Sequence, residues 1–285
     1  MLALSDGKQV LVPLSLQILL KGLIRSYISS PAGTYGGWIS GDELQIDHAT
    51  ALFQYLIGMG NLTWRVNPYD HLAVSAIAGS GQDDETQALD LAIGFDQIYR
   101  NWSKGHRAAA RQAKKEGVSV RLAADRQDWY AYYEVYEDSL RRWGEKASSR
   151  YEWPLFEQFA RRNSPHIQLW LAEYQGRIIA GALTVSSKEQ LDYWHGATLE
   201  EFFHVRPVHL LMYEVIKYAC AHGYRWFDFN PSGGHEGVKS FKKSFGAMPF
   251  CSPVIHLQTP ARTALLKILH FGSRLKALRV TRTTH

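Results

Sequence analysis

Apolar and polar positions follow two different periods along this chain, and the stretch WFDFNPSGGHEGVKSFKKSF (Trp226 to Phe245) shows both in succession. WFDF sets aromatics against an acid at a spacing of two. Pro231 and the pair Gly233-Gly234 follow, which predicts a short strand ending in a glycine hinge. Alternation puts Phe227 and Phe229 on one face and Trp226 and Asp228 on the other. Val238, Phe241 and Phe245 then recur at helical spacing and stop at Gly246. This predicts a helix that holds Lys239, Lys242 and Lys243 close to a strand end.

The same patterns, read along the whole chain, predict two α/β sections. The first, residues 1–95, has strand-like runs at Gln9–Gln17, Leu23–Ser29, Leu62–Asn67, Leu72–Ala78 and Gln87–Ile93. A helix fits His48–Gly60, with Asp47 as its cap and Gly60 as its stop. The long Gly-, Ser- and Pro-rich segment Ser29–Glu43 carries Tyr35, Gly36, Gly37 and Trp38. A loop of that length in a folded section is either functional or disordered, and its aromatics favour substrate contact. Residues 96–117 read as a basic connecting helix broken at Gly105. Residues 118–258 give a strand (Val118–Ala123), two helices (Gln127–Trp143, Trp153–Arg162) and three strands (Ile167–Glu173, Arg177–Val185, Gln190–Gly196). A helix (Val208–His222), strand (Trp226–Phe229), helix (Glu236–Phe245) and strand (Val254–Leu257) complete it. The Glu173–Gly176 turn makes the middle strands a hairpin meander.

Charge is unevenly spread. The 285 residues carry a net +5. Arg262, Lys267, Arg274, Lys276, Arg279 and Arg282 lie in the tail 259–285 without one acid, so the remainder is close to neutral. The tail reads as an amphipathic basic helix broken at Gly272, which either lies on an anionic membrane or docks on the first section. Within the connecting helix, Lys104, Arg107, Arg111 and Lys114 fall on one face. That stripe is either a solvated surface or a contact for an anionic ligand such as a phosphate chain. No motif for reading a DNA sequence accompanies it. Two cysteines without metal or disulfide spacing fit a reducing cytoplasm. No histidine pair stands with a third ligand, so no metal is expected.

Several motifs recur in a telling order: a basic RxxxRxA helix, GRIIAG (Gly176 to Gly181), and LDYWHGAT (Leu191 to Thr198). A helix opening near Pro207, GYRWFDF (Gly223 to Phe229) and FKKSFG (Phe241 to Gly246) follow. This ordered set resembles the FemAB-like branch of the GNAT acyltransferase superfamily over roughly Gly7 to Cys251. The resemblance implies tandem GNAT-like domains, each a mixed, mostly antiparallel sheet flanked by helices, of class α/β (α+β). The first copy starts at the meander and is expected to be incomplete at its N-terminus.

The implied chemistry is direct attack of an amine on a carrier-linked acyl group through a tetrahedral intermediate. Such transfer needs a phosphate site, a proton acceptor and an oxyanion donor. Helix N-termini favour anions, so Arg206, Val208 and His209 at the helix opening, with Lys239, are the candidates for the carrier. The chain has FFHVRPVH where acyl-CoA-binding relatives have a glycine-rich loop. The donor is therefore aminoacyl-tRNA or acyl-CoA, with no permanently bound cofactor. Lys242, in the lysine position of FKxxFG, is implied to act at the reacting carbonyl. Asp228 is either a base or a structural acid. Tyr193 is placed to orient substrate, and His195 shares its face by the period-two rule. Tyr35, Gly36, Gly37, Trp38, Arg107 and Arg111 are candidate substrate contacts.

The expected protein is a cytoplasmic N-acyl or aminoacyl transferase, free or at the inner face of the membrane. Its acceptor would be an amine of a cell-envelope precursor, lipid-linked or free, on a peptidoglycan stem peptide or an amino sugar. The alternatives are an acyl-CoA-dependent N-acetyltransferase and a non-catalytic GNAT-fold binding protein.

Overall fold

The hairpin meander around Glu173–Gly176 anchors the larger of two units in the computed structural model, which describes residues 1–19, 24–30, 33–77, 79–144, 147, 150–260 and 263. Strands β8 (Ile167–Tyr174) and β9 (Arg177–Ser186) meet through Gln175 and Gly176, both at positive φ (52° and 76°). Two left-handed residues in succession make the primed turn whose twist matches that of its strands. β10 (Gln190–Thr198) pairs antiparallel with β9, and β7 (Ser119–Leu122) antiparallel with β8. β11 (Trp226–Asp228) runs parallel to β10, and β6 (Glu85–Asp90) antiparallel to β11. With β12 (Met248–Cys251) at one edge, the sheet order is β12-β6-β11-β10-β9-β8-β7.

Both faces of this sheet are covered, so its middle strands read as near-continuous apolar runs. Trp170, Ala172 and Phe227 point to a core built with α4 (Lys104–Lys115) and α7 (Pro207–Ala221). Leu169, Leu171 and Leu183 point to a second core with α5 (Arg126–Trp143) and α6 (Trp153–Arg162). Ala109, Ala110 and Ala113 let α4 lie close against α7.

The smaller unit comprises the described residues of Met1–Asp84 and of the chain after Phe250. It holds the short antiparallel pair β1 (Leu2–Ala3) and β2 (Gln9–Val10), and a sheet ordered β13-β5-β4-β3 that combines β3 (Ser15–Leu19), β4 (Ile24–Ile28), β5 (Leu62–Arg65) and β13 (Val254–Leu257). Helices α1 (Ile46–Gly58) and α2 (His71–Ala76) contribute Phe53, Leu56 and Ala73 to a core with Leu62, Trp64 and Ile255. Each unit is therefore a mixed sheet with helices packed on it, the α/β class expected.

Several sequence expectations are corrected. Leu72–Ala76 is helical, not a strand, because the Asp70 side chain caps the Ala73 N–H at 3.0 Å and buries Ala73 in the first turn; Ala78 lies outside the described residues. Gln45, not Asp47, caps α1, in a reciprocal box with His48, while Gly60 follows the helix at positive φ as a stop should. The connecting helix breaks at Trp102–Ser103, where Ser103 caps α4 and α3 (Phe95–Asn101) ends, and Gly105 lies inside α4. Residues 85–117 join the second unit, since β6 pairs with β11. Strand Val254–Leu257 pairs instead with β5, in the first unit. The basic tail beyond Thr263 lies outside the described residues.

Candidate active site

Strands β10 and β11 run parallel in the large sheet, and their pairing is short. Gln190, Leu191 and Asp192 face Trp226, Phe227 and Asp228, and the register stops there. Beyond it β10 bulges at Trp194, its partners on β9 stepping from Tyr193–Thr184 to His195–Leu183. An extra residue bends the strand and increases its twist. A fork thus opens where β11 ends and β10 runs on past its bulge, and the C-terminal end of a parallel strand is a place where open α/β sheets take ligands.

Asn230 spans that fork. It sits just past β11 in a left-handed conformation (φ 62°), and its Nδ2 donates to the Tyr193 carbonyl on β10 at 2.8 Å. Its backbone N–H donates to Asp228 Oδ1 at 2.6 Å, which also accepts from the Thr86 hydroxyl at 2.6 Å. Its carbonyl accepts from the Lys242 ammonium. The three residues expected to be catalytic, Lys242, Asp228 and Tyr193, are thereby brought together around one asparagine.

The helix α8 (Glu236–Lys243) delivers Lys242 to a site where it is only 4% exposed. Burial pushes its ammonium down to about 8, with the Asp228 carboxylate pulling the other way. Asp192, opposite Asp228 in the register, is also buried. Burial first, and the Asp228 charge second, push its carboxyl up to about 8, against a weaker pull from the Gln190 amide. Burial beside the Asp228 charge thus favours the neutral form of the Asp192 carboxyl, while the same charge favours the ammonium form of Lys242. Tyr193 packs edge-on against Phe229, and burial raises its phenol to about 12.

Other expected site residues are placed as follows. Arg206 is exposed, in the left-handed conformation that opens α7 at Pro207, and Val208 packs on the core beside it. His209 stacks edge-on against His106 at 4.6 Å, and burial lowers it to about 4. Lys239 is held by Glu85 at 3.2 Å and Glu236 at 3.6 Å, so its charge is already answered on the α8 surface. Arg107 and Arg111 lie on the side of α4 turned from its alanines, Arg111 exposed and Arg107 half-buried. In the first unit Trp38 packs on Trp64 (5.8 Å) and Tyr35 on Tyr69 (6.3 Å). Gly36 donates its N–H to the Arg65 carbonyl, and a Cβ there would strike Ser29 at 2.1 Å. Gly37 has open space around it.

One face assignment is overturned. His195 does not share the Tyr193 face, because the bulge at Trp194 shifts the alternation by one residue. Its Nδ1 instead meets the Tyr132 hydroxyl at 2.9 Å, among Tyr136, Tyr151 and Phe156 in the second core. Burial lowers it to about 4. Asp192 and Asn230 are the site residues that the sequence reading missed. The signal for Asp192 was present: LDY and FDF each set an acid between apolar residues. Only the pairing of those two strands makes the acids neighbours.

The acetyltransferase (GNAT) domain model matches residues 100–243. The chain belongs to the GNAT acetyltransferase family. By family it is thus an acyltransferase. Several solved structures share its fold. FemX superposes with a TM-score of 0.67 at 15% identity, covering 90% of this chain and 87% of that one. L-PGS from Bacillus licheniformis gives 0.59 at 12%, covering 93% and 86%. The C-terminal domain of a putative lysylphosphatidylglycerol synthetase from Agrobacterium fabrum gives 0.56 at 14%, covering 92% and 87%. No curated protein matches the sequence. Among the described residues no helix is long and apolar enough to cross a membrane.

Proposed function

We propose that this GNAT-family chain transfers an aminoacyl or acyl group from a carrier to a primary amine at the β10–β11 fork. The buried Lys242 ammonium beside the parting strands is the observation that carries the reading. A cation in a dry, fixed position stabilises a developing oxyanion far better than it would in water. The amine attacks the carrier-linked carbonyl, a tetrahedral intermediate forms, and the carrier leaves. The donor is aminoacyl-tRNA or acyl-CoA, seated with its phosphates toward the N-terminus of α7, where the helix dipole and Arg206 favour anions. The acceptor is an amine-bearing or lipid-linked envelope precursor. The lysylphosphatidylglycerol synthetase named among the structural neighbours supports an aminoacyl donor and a lipid acceptor. Action at the inner face of the membrane, through the basic tail, belongs to the same reading.

Calorimetric titration with CoA, acetyl-CoA and charged tRNA identifies the donor; heat from none of the three would sink the reading. With that donor, Lys242→Met is expected to lower turnover about a hundredfold or more, the scale for losing one oxyanion donor. Donor affinity should stay within about threefold, since Lys242 is expected to act on the transition state. Full turnover in that variant would remove Lys242 from the reaction.

A further inference from the structure

Asn230 satisfies every polar group it carries except one. Its N–H, its carbonyl and its Nδ2 each have the partners given above, and it is only 8% exposed. Its Oδ1 is buried with no donor among the described residues. The orientation of this amide is not arbitrary. The Tyr193 carbonyl can only accept, so the nitrogen must face it, and the oxygen is fixed on the other side. A buried acceptor left unpaired costs about 1–3 kcal/mol. Natural structures rarely keep such a group without a use, and each one calls for a partner. The same residue holds a left-handed backbone conformation, a second local cost that clusters at functional sites. Both costs fall where β10 and β11 part, with the Lys242 ammonium on the Asn230 carbonyl.

We propose that Asn230 Oδ1 is the acceptor for an N–H of the attacking amine, making Asn230 a catalytic residue that aims the nitrogen lone pair at the acyl carbon. This rests on the transferase reading. The nitrogen forms its bond to the carbonyl carbon and the carbon–carrier bond breaks. One N–H proton leaves with the carrier's thiolate or alkoxide, and the other stays on the new amide. Asn230 takes no proton. As positive charge grows on nitrogen in the transition state, its N–H becomes a stronger donor, so the bond to Oδ1 tightens when it is most useful. The amine enters neutral, because an ammonium has no lone pair to aim.

The test uses Asn230→Gly in the full chain. Glycine accepts the left-handed backbone without strain. It keeps the N–H to Asp228 and the carbonyl to Lys242, and removes only the carboxamide. Transfer from acetyl-CoA or lysyl-tRNA, whichever binds, is measured to an added amine over a range of amine concentrations, and donor affinity is measured by calorimetry. Amine transfer is expected to fall about 10- to 100-fold, the range for a hydrogen bond to a charged group. Donor affinity should stay within about threefold. A loss of donor affinity as large as the loss of transfer would reduce Asn230 to a brace of the fork and overturn the assignment, as would unchanged transfer to the amine. A second measurement does not depend on the donor. Ethylamine, titrated near pH 10 against ethanol as control, should shift the Asn230 Nδ2–H2 resonance saturably. No shift beyond that of ethanol would also overturn the assignment. If neither donor supports transfer in the unaltered chain, the transferase reading falls, and the ethylamine titration still decides whether Asn230 Oδ1 receives an amine.

Discussion

Asp192 and Lys242 pull the stability of the fold in opposite directions as pH changes. Unfolded, the Asp192 carboxyl loses its proton near 3.8; folded, it keeps it to about 8. Across that window the native state binds more protons than the unfolded one, so this group's contribution falls as pH rises, by at most about 1.4 kcal/mol per unit. Lys242 is depressed from 10.5 to about 8, so between those values the unfolded state binds more protons and stability from this group rises with pH. Asp192→Asn keeps a hydrogen-bonding side chain and cannot ionise. Its stability relative to the unaltered chain is therefore expected to improve steadily from pH 5 to pH 8. Urea midpoints at several pH values check this. A constant difference between the two proteins would mean that Asp192 is ionised in the fold.

At the scale of elements, close packing of α5 on the sheet depends on a glycine. A Cβ on Gly181 of β9 would come within 2.4 Å of the fully buried Tyr132 ring and 3.0 Å of the Trp170 carbonyl. Neither can give way cheaply, because Tyr132 also bonds His195. Gly181→Ala should therefore cost about 1–3 kcal/mol, the range for overpacking. The sign would be a lower denaturant midpoint with an unchanged slope, and an unchanged midpoint would show that α5 can slide. The GRIIAG motif that contains this glycine was legible as a strand, as were β8, β10, α5 and α7, because their periods are long and clear. The bulge at Trp194 was not. A single extra residue leaves no mark on composition, yet it decides which core receives His195. Capping likewise outweighed propensity at Asp70 and Ser103, where one side chain settles whether an apolar run is a helix or where a helix begins.

For the whole molecule, strand partners are chosen across long sequence separations, and that is where the local patterns gave least. The unit boundaries were misplaced because β6 leaves the first section for the second sheet, while β13 returns to the first. Neither exchange alters any local period. Asp228 and Lys242 converge because WFDF and FKKSFG are neighbours in sequence, whereas Tyr193 and Asp192 join them only through the pairing of β10 with β11. The return of β13 makes the first unit discontinuous, and its stability should depend on chain that follows the second. Val254 to Leu257 pair with Arg65 to Leu62, and Val254 and Ile255 are buried. Ser252 donates to the Val66 carbonyl at 2.8 Å, and the Thr259 N–H to the Asn61 side chain at 2.8 Å. Ending the chain at Phe250 removes all of these and leaves β5 with an open edge. Burial of two β-branched side chains is worth roughly 3–6 kcal/mol, a large part of the stability of a unit this small. The truncated chain is expected to lose protection of amide hydrogens in α1, β4 and β5, while β8, β9 and α7 exchange as slowly as before. Hydrogen exchange read by mass spectrometry distinguishes these regions. Uniform loss throughout would show that both units fold as one cooperative body, and retained protection in β5 would show that β13 is dispensable to the first sheet.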